Sequence, residues 1–168
     1  MSITFDLPDD ARLVTAVAHV AIRHGQLDYI LRMTVKTITR LKIEEALDAT
    51  ERQTSTELRQ RIRRLARQKI GDGRAFLLLE ALLSRARRAS EKRNELLHGL
   101  WAVDLEDGRQ VFRHEGHQWR PQPTATELEE IAKEMAEVAF ELNKLRLHGE
   151  LHEALEGKEL TANTTEEP

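Results

Sequence analysis

Apolar residues recur along this chain in steps of three and four, and that rhythm divides most of it into helices. Leu13, Val14, Val17, Val20, Ala21, Leu27, Ile30, Leu31, Val35, Ile38 and Leu41 form one stripe of helical period. Pro8, Asp9 and Asp10 precede it, where the unpaired N–H groups of a helix start favour carboxylates. A helix of about 30 residues would reach about 45 Å, with Gly25 as a weak point midway. From Ile43 to Thr56 the pattern thins to a short helix or connection. It resumes over 57–70 with Leu58, Ile62, Leu65 and Ala66 on one side. Gly71-Asp72-Gly73 predicts a stop. A further helix over 74–98 carries Phe76, Leu78, Leu79, Leu82, Leu83, Ala86, Ala89, Leu96 and Leu97, and Gly99 suits a left-handed end.

The period changes after Gly99. Leu100, Trp101, Val103 and Leu105, then Glu106-Asp107-Gly108, then Val111 and Phe112 read as a β-hairpin. Pro121 and Pro123 close it. Thr124 and Glu127 have capping-box spacing, and the last helix runs from there through Leu128, Ile131, Met135, Val138, Leu142 and Leu145 towards Leu155. Residues 158–168 are small, polar and acidic, a flexible tail. The fold predicted is all-α: an up-and-down bundle of four principal helices over 1–157, with a small β-hairpin inserted before the last helix.

Composition narrows the chemistry. The 168 residues lack Cys, which removes disulfides, thiol catalysis and Cys-bound zinc. No apolar run approaches the ~18 residues of a membrane span, and the N-terminal residues do not read as a secretory signal. The expectation is a cytoplasmic protein without membrane contact. The net charge is −3, yet the charge is unevenly placed. Residues 52–93 hold thirteen Lys and Arg against four acids, whereas residues from 127 onward hold twelve acids against four bases. The basic stretch either attracts a phosphate backbone or answers the acidic last helix across the bundle.

Histidines supply the remaining candidates. His148 and His152 are four apart beside Glu150 and Glu153, but a third strong ligand is lacking, so they read as surface residues and no metal or cofactor is expected. His19 and His24 read as solvated or groove-lining, with Arg12 and His19 sharing a helical face; His114 and His117 bracket a turn. Trp101 and Trp119 either pack the hairpin or stack on bases.

The richest segment is Glu91-Lys92-Arg93-Asn94-Glu95-Leu96-Leu97-His98-Gly99. Asn94 and His98 share a helical face, so Asn94 is placed to orient the ring, with Glu91 one turn further back. Arg93 and His98 diverge by about 140° on a straight helix, so they converge only through the long Arg side chain, an unwound helix end or a second subunit. An Arg followed by Asn, with a His four residues later at the end of a third helix, resembles the R-x4–6-H signature of HEPN domains. The bare spacing also occurs at Arg12/His19, Arg109/His114 and Arg146/His152, but only Arg93 has the polar residue after it and the Gly-ended helix. The resemblance implies a homodimeric, metal-independent endoribonuclease acting through attack by the RNA 2′-OH. His98 would be the acid–base group, Arg93 the phosphate clamp and Asn94 a positioning group, with Arg87, Arg88 and Lys92 binding substrate. It also implies a toxin or defence role and an inhibitor (antitoxin) protein as partner. The family's variant with a Tyr two residues after the His is not expected, since Leu100 stands there. The alternative is a non-catalytic helical module that binds protein, nucleotide or RNA.

Overall fold

Asp10 starts the first helix, α1 (Ala11–Thr39), in the computed structural model, which describes residues 2–114, 116 and 118–163, with side chains through 157. Its Oδ1 accepts the backbone N–H of Arg12 at 2.8 Å and of Leu13 at 3.2 Å, meeting two donors that a helix start leaves unpaired. The buried stripe of α1 runs Leu13, Ala16, Val20, His24, Leu27 and Leu31. Val14 and Ala21, expected on it, are exposed. Of the two alternatives for His24, solvated or groove-lining, its burial excludes the first: it is 8% exposed and lies on the buried stripe.

A short α2 (Ile43–Asp48) leads to α3 (Ser55–Ile70). Thr54 caps α3, its hydroxyl accepting from the Glu57 N–H while the Glu57 carboxylate accepts from the Thr54 N–H at 2.7 Å. Gly71 ends it at φ +72°, a backbone region that disfavours any Cβ. Helix α4 (Arg74–Leu97) follows. The expected hairpin is present as β2 (Leu100–Asp104) and β3 (Gln110–Arg113), with Trp101 opposite Phe112. Two further strands widen it into an antiparallel sheet of order β1-β2-β3-β4. These are β1 (Ile3–Thr4), on Val103 and Asp104, and β4 (Arg120–Pro121), on Val111 and Phe112.

The single last helix is in fact two, α5 (Ala125–His148) and α6 (Glu150–Asn163). The break falls at Gly149, where a Cβ would lie 3.0 Å from the Leu145 Cα. The backbone of α6 continues into the stretch expected as a tail, and 164–168 lie outside the described residues. His148 and His152 therefore sit on different helices.

Within the span expected as one domain, the chain gathers into two compact units, Met1–Gly25 with Arg88–Met135 and Gln26–Arg87 with Ala136–Pro168. The first is cored by Leu13, Val20, Leu96, Phe112, Leu128 and Met135 around the sheet. The second holds, among the described residues, helices and no strand, and is cored by Leu27, Leu31, Ile62, Leu79, Leu83 and Leu142. The molecule is thus mostly helical with a small four-stranded sheet. Among the described residues no helix is long and apolar enough to cross a membrane.

The predicted capping box of α5 is formed: the Glu127 carboxylate accepts the Thr124 N–H at 2.7 Å and its hydroxyl at 2.9 Å. These bonds hold the Glu127 carboxyl below the usual range. A depressed folded-state value stabilises above the ordinary carboxylate range and is lost as pH falls through the folded value. Thr124→Ala is expected to cost about 1 kcal/mol at neutral pH. The gap between wild type and Thr124→Ala in urea unfolding should narrow as pH drops through that range, whereas a pH-independent gap would exclude this coupling.

Candidate functional site

The end of α4 is set by three contacts that spacing alone does not reveal. The His98 N–H still bonds the Asn94 carbonyl at 3.0 Å, but the helix stops at Leu97 and β2 begins at Leu100. Trp101 turns back and donates its indole N–H to the Leu96 carbonyl at 3.2 Å, satisfying one acceptor that a helix end leaves open. Phe112, fully buried, lies edge-on to Trp101 with ring centroids 5.0 Å apart. Its ring occupies the place a Cβ on residue 99 would take, with Cζ at 2.1 Å. Gly99 is therefore needed for close approach, and not for the left-handed conformation expected, because its φ is not among the positive ones.

His98 is held at this corner with its imidazole exposed and, among the described residues, making no hydrogen bond or ion pair. Arg93 is half-buried one turn earlier. Its Nη1 donates to the Asn94 Oδ1 at 2.9 Å, while its Nε is buried without a partner. Asn94 does not orient the ring through its side chain as expected. The amide oxygen holds the guanidinium, and its link to His98 is the backbone carbonyl. The three residues thus form a local unit: one anchored cation and one uncommitted imidazole, both near the surface at a helix end.

The three expected substrate-binding residues separate. Arg87 is exposed and closes the second unit's part of α4. Arg88 and Lys92 line a groove of about 810 Å³ in the first unit, between α4, the 120–124 segment and the start of α5. Neither Arg93 nor His98 lines it. Glu95, Glu127, Glu130 and Glu134 share its walls with Arg88, Lys92 and Arg120.

The other basic residues of 52–93 are largely consumed. Arg63 meets Glu80 at 2.7 Å, Arg67 meets Asp72 at 2.7 Å, and Arg85 meets Glu141 at 2.8 Å and Glu137 at 3.7 Å. Arg74 reaches Glu150 at 3.5 Å, and Arg61 donates to the Ala49 carbonyl. Arg59 is 3% exposed, its Nη2 on the Thr56 hydroxyl. Arg74 and Arg85 thus answer the acidic C-terminal helices, whereas Arg63 and Arg67 pair with acids of the stretch itself.

Arg12, offered with His19 as a second pair, is engaged too: its guanidinium grips Glu129 at 2.7 and 2.9 Å, which raises the Arg12 pKa and lowers that of Glu129. Trp119 lies under the Arg113 guanidinium at 4.9 Å. His117 lies outside the described residues. Among the described residues no group of three or more His, Asp or Glu is arranged to hold a metal. Comparison of the chain with models of protein families, with curated proteins and with solved structures finds no match.

Proposed function

We propose that this chain is a metal-independent endoribonuclease of the HEPN type, its principal helices forming that family's up-and-down bundle. The observation that carries the reading is the presence, at the end of α4, of both an uncommitted, exposed His98 and an Arg93 held by Asn94. An imidazole changes charge near neutrality and can take or return a proton. In this reading it removes the proton of the RNA 2′-OH, whose oxygen attacks the adjacent phosphorus. The 5′-oxygen leaves and is protonated, giving a 2′,3′-cyclic phosphate and a 5′-OH. The guanidinium stays charged and stabilises the phosphorane oxygens. Two copies would bring two such corners to one cleft. A cytoplasmic toxin or defence role, restrained by an inhibitor protein, would follow from the same resemblance. The ion pairs that engage Arg63, Arg67, Arg74 and Arg85 favour the alternative, a non-catalytic interaction module.

The test is cleavage of single-stranded RNA by purified protein in EDTA, with product ends mapped and mass measured by sedimentation. The reading expects a dimer that leaves cyclic-phosphate ends. A monomer that leaves RNA intact, or cutting abolished by EDTA, rejects it.

A further inference from the structure

The second compact unit carries an exposed apolar face where Arg146 ties α5 to α1. Its Nη1 donates to the Thr37 hydroxyl of α1 at 3.3 Å, and its Nη2 donates to the Asn143 amide oxygen at 2.6 Å. At about 100° per residue, Asn143, Leu147 and Phe140 lie about 60° to 120° round α5 from Arg146. All three turn away from the buried Val138, Leu142 and Leu145. On α1, Tyr29 and Lys36 are seven apart and lie about a quarter turn from Thr37, opposite the buried Leu31, Val35 and Ile38. Phe140 is 70% exposed, and Tyr29 and Leu147 are exposed as well. The charge beside these side chains has one sign. Lys36 and Lys144 make no side-chain ion pair or hydrogen bond among the described residues, and Lys144 flanks both Phe140 and Leu147 at helical spacing. Arg146, half-buried, has only neutral partners, and its burial lowers its pKa, as expected of a cation short of a counter-charge. The nearby acids of α5, Glu137 and Glu141, are turned to Arg85 of α4.

We propose that this face docks an amphipathic helical segment of a protein partner whose polar flanks are acidic. The apolar stripe of the segment covers Phe140, Leu147 and Tyr29. Its carboxylates meet Lys36 on one side and Lys144 on the other, while Arg146 adds a fixed positive charge beneath. A helix suits the site because it bonds its own backbone groups and presents side chains at the spacing of Phe140 and Leu147. Charge complementarity selects the acidic partner. A second copy would bring the same surface again, with cations on both sides of a two-fold contact. An RNA strand carries a charge on every nucleotide, more than Lys36, Lys144 and Arg146 answer, and gains no stacking from Leu147. The inference stands independently of the ribonuclease reading, since Arg93 and His98 belong to the other compact unit.

The test uses the full chain and a fluorescein-labelled designed helix of about 16 residues, with a Leu stripe and Glu on both flanks. Fluorescence anisotropy compares it with a version carrying Lys in place of Glu, with a scrambled acidic peptide that has no stripe, and with single-stranded RNA. The acidic amphipathic helix should bind about tenfold more tightly than either control peptide, the scale of two exposed charge contacts or one aromatic anchor. The double variant Lys36→Glu, Lys144→Glu should weaken it by at least that factor while strengthening the Lys version. Phe140→Ser should weaken it about tenfold with little structural cost, because the ring is largely exposed. Circular dichroism checks the fold, and Lys36→Gln, Lys144→Gln serves if the charge reversal perturbs it. Equal binding of the acidic and basic helices, or acidic binding untouched by the variants, overturns the proposal. So does RNA binding that the Lys variants remove while peptide binding is absent. A sedimentation mass that Phe140→Ser halves also overturns it, because the face would then belong to a second copy.

Discussion

Gly99→Ala is expected to destabilise the protein by about 3 kcal/mol, at the upper end of overpacking costs. A methyl group there would lie 2.1 Å from Cζ and 2.2 Å from Cε2 of Phe112, and 2.8 Å from the Glu95 carbonyl oxygen. None of these atoms has an easy retreat. Phe112 is fully buried, with Trp101 at its edge and the Arg120 guanidinium 5.3 Å from its centroid, and the carbonyl belongs to α4. Urea unfolding of Gly99→Ala measures the loss directly. Phe112→Leu removes ring atoms from the contact, so the double variant should lose less than the sum of the two single changes, the signature of a shared contact. A Gly99→Ala protein within about 0.5 kcal/mol of wild type would show that the ring moves aside freely.

Local signals were the legible part of this fold. Asp10 before an apolar stripe, Thr124 with Glu127, and the Glu106–Gly108 turn each place their chemistry within a few residues, and each is found as read. Features that depend on distant residues were not. Strand β1 exists because Ile3 and Thr4 meet Asp104 and Val103, a pairing about a hundred residues apart in the chain. Period alone carried the last helix through Gly149, since i, i+3, i+4 spacing continues into Leu151 and Leu155. The crowding of residue 149 against Leu145 appears only in three dimensions. His24 differs again: it stands four residues after Val20 and three before Leu27, so period alone places it on the buried stripe, although a titratable side chain more often faces water.

The candidate site divides in the same way. Arg93, Asn94 and His98 stand out by type and spacing, but which atom the Asn94 amide holds is a rotamer question that no sequence answers. The charge of residues 52–93 is plain in the sequence, yet the pairing of Arg85 with Glu137 and Glu141 and of Arg74 with Glu150 is a property of packing. The groove was the least visible feature. It draws on α4, the loop before α5 and α5 itself, segments about thirty residues apart in the chain.

Removing the imidazole should silence RNA cleavage while leaving the fold intact. His98 is exposed and makes no polar contact among the described residues, so His98→Ala has little to lose structurally. A lost acid–base group costs about 10²–10⁴-fold in rate. Arg93→Ala should cost about 10²–10³-fold, the scale of one lost charge-stabilising donor. Asn94→Ala should cost less, because it frees the guanidinium without removing it. Mixing the two inactive variants decides how the site is assembled. If the guanidinium of one protomer works with the imidazole of the other, half the dimers in an equal mixture are hybrids, and one of the two sites in each hybrid is intact. Activity should then return to about a quarter of wild type, a consequence of two-fold symmetry. If both groups act from the same chain, every site in the mixture lacks one of them and no activity returns. Cleavage undiminished in His98→Ala would remove this residue from the chemistry altogether and leave the helix end as an anchoring corner between α4 and the sheet.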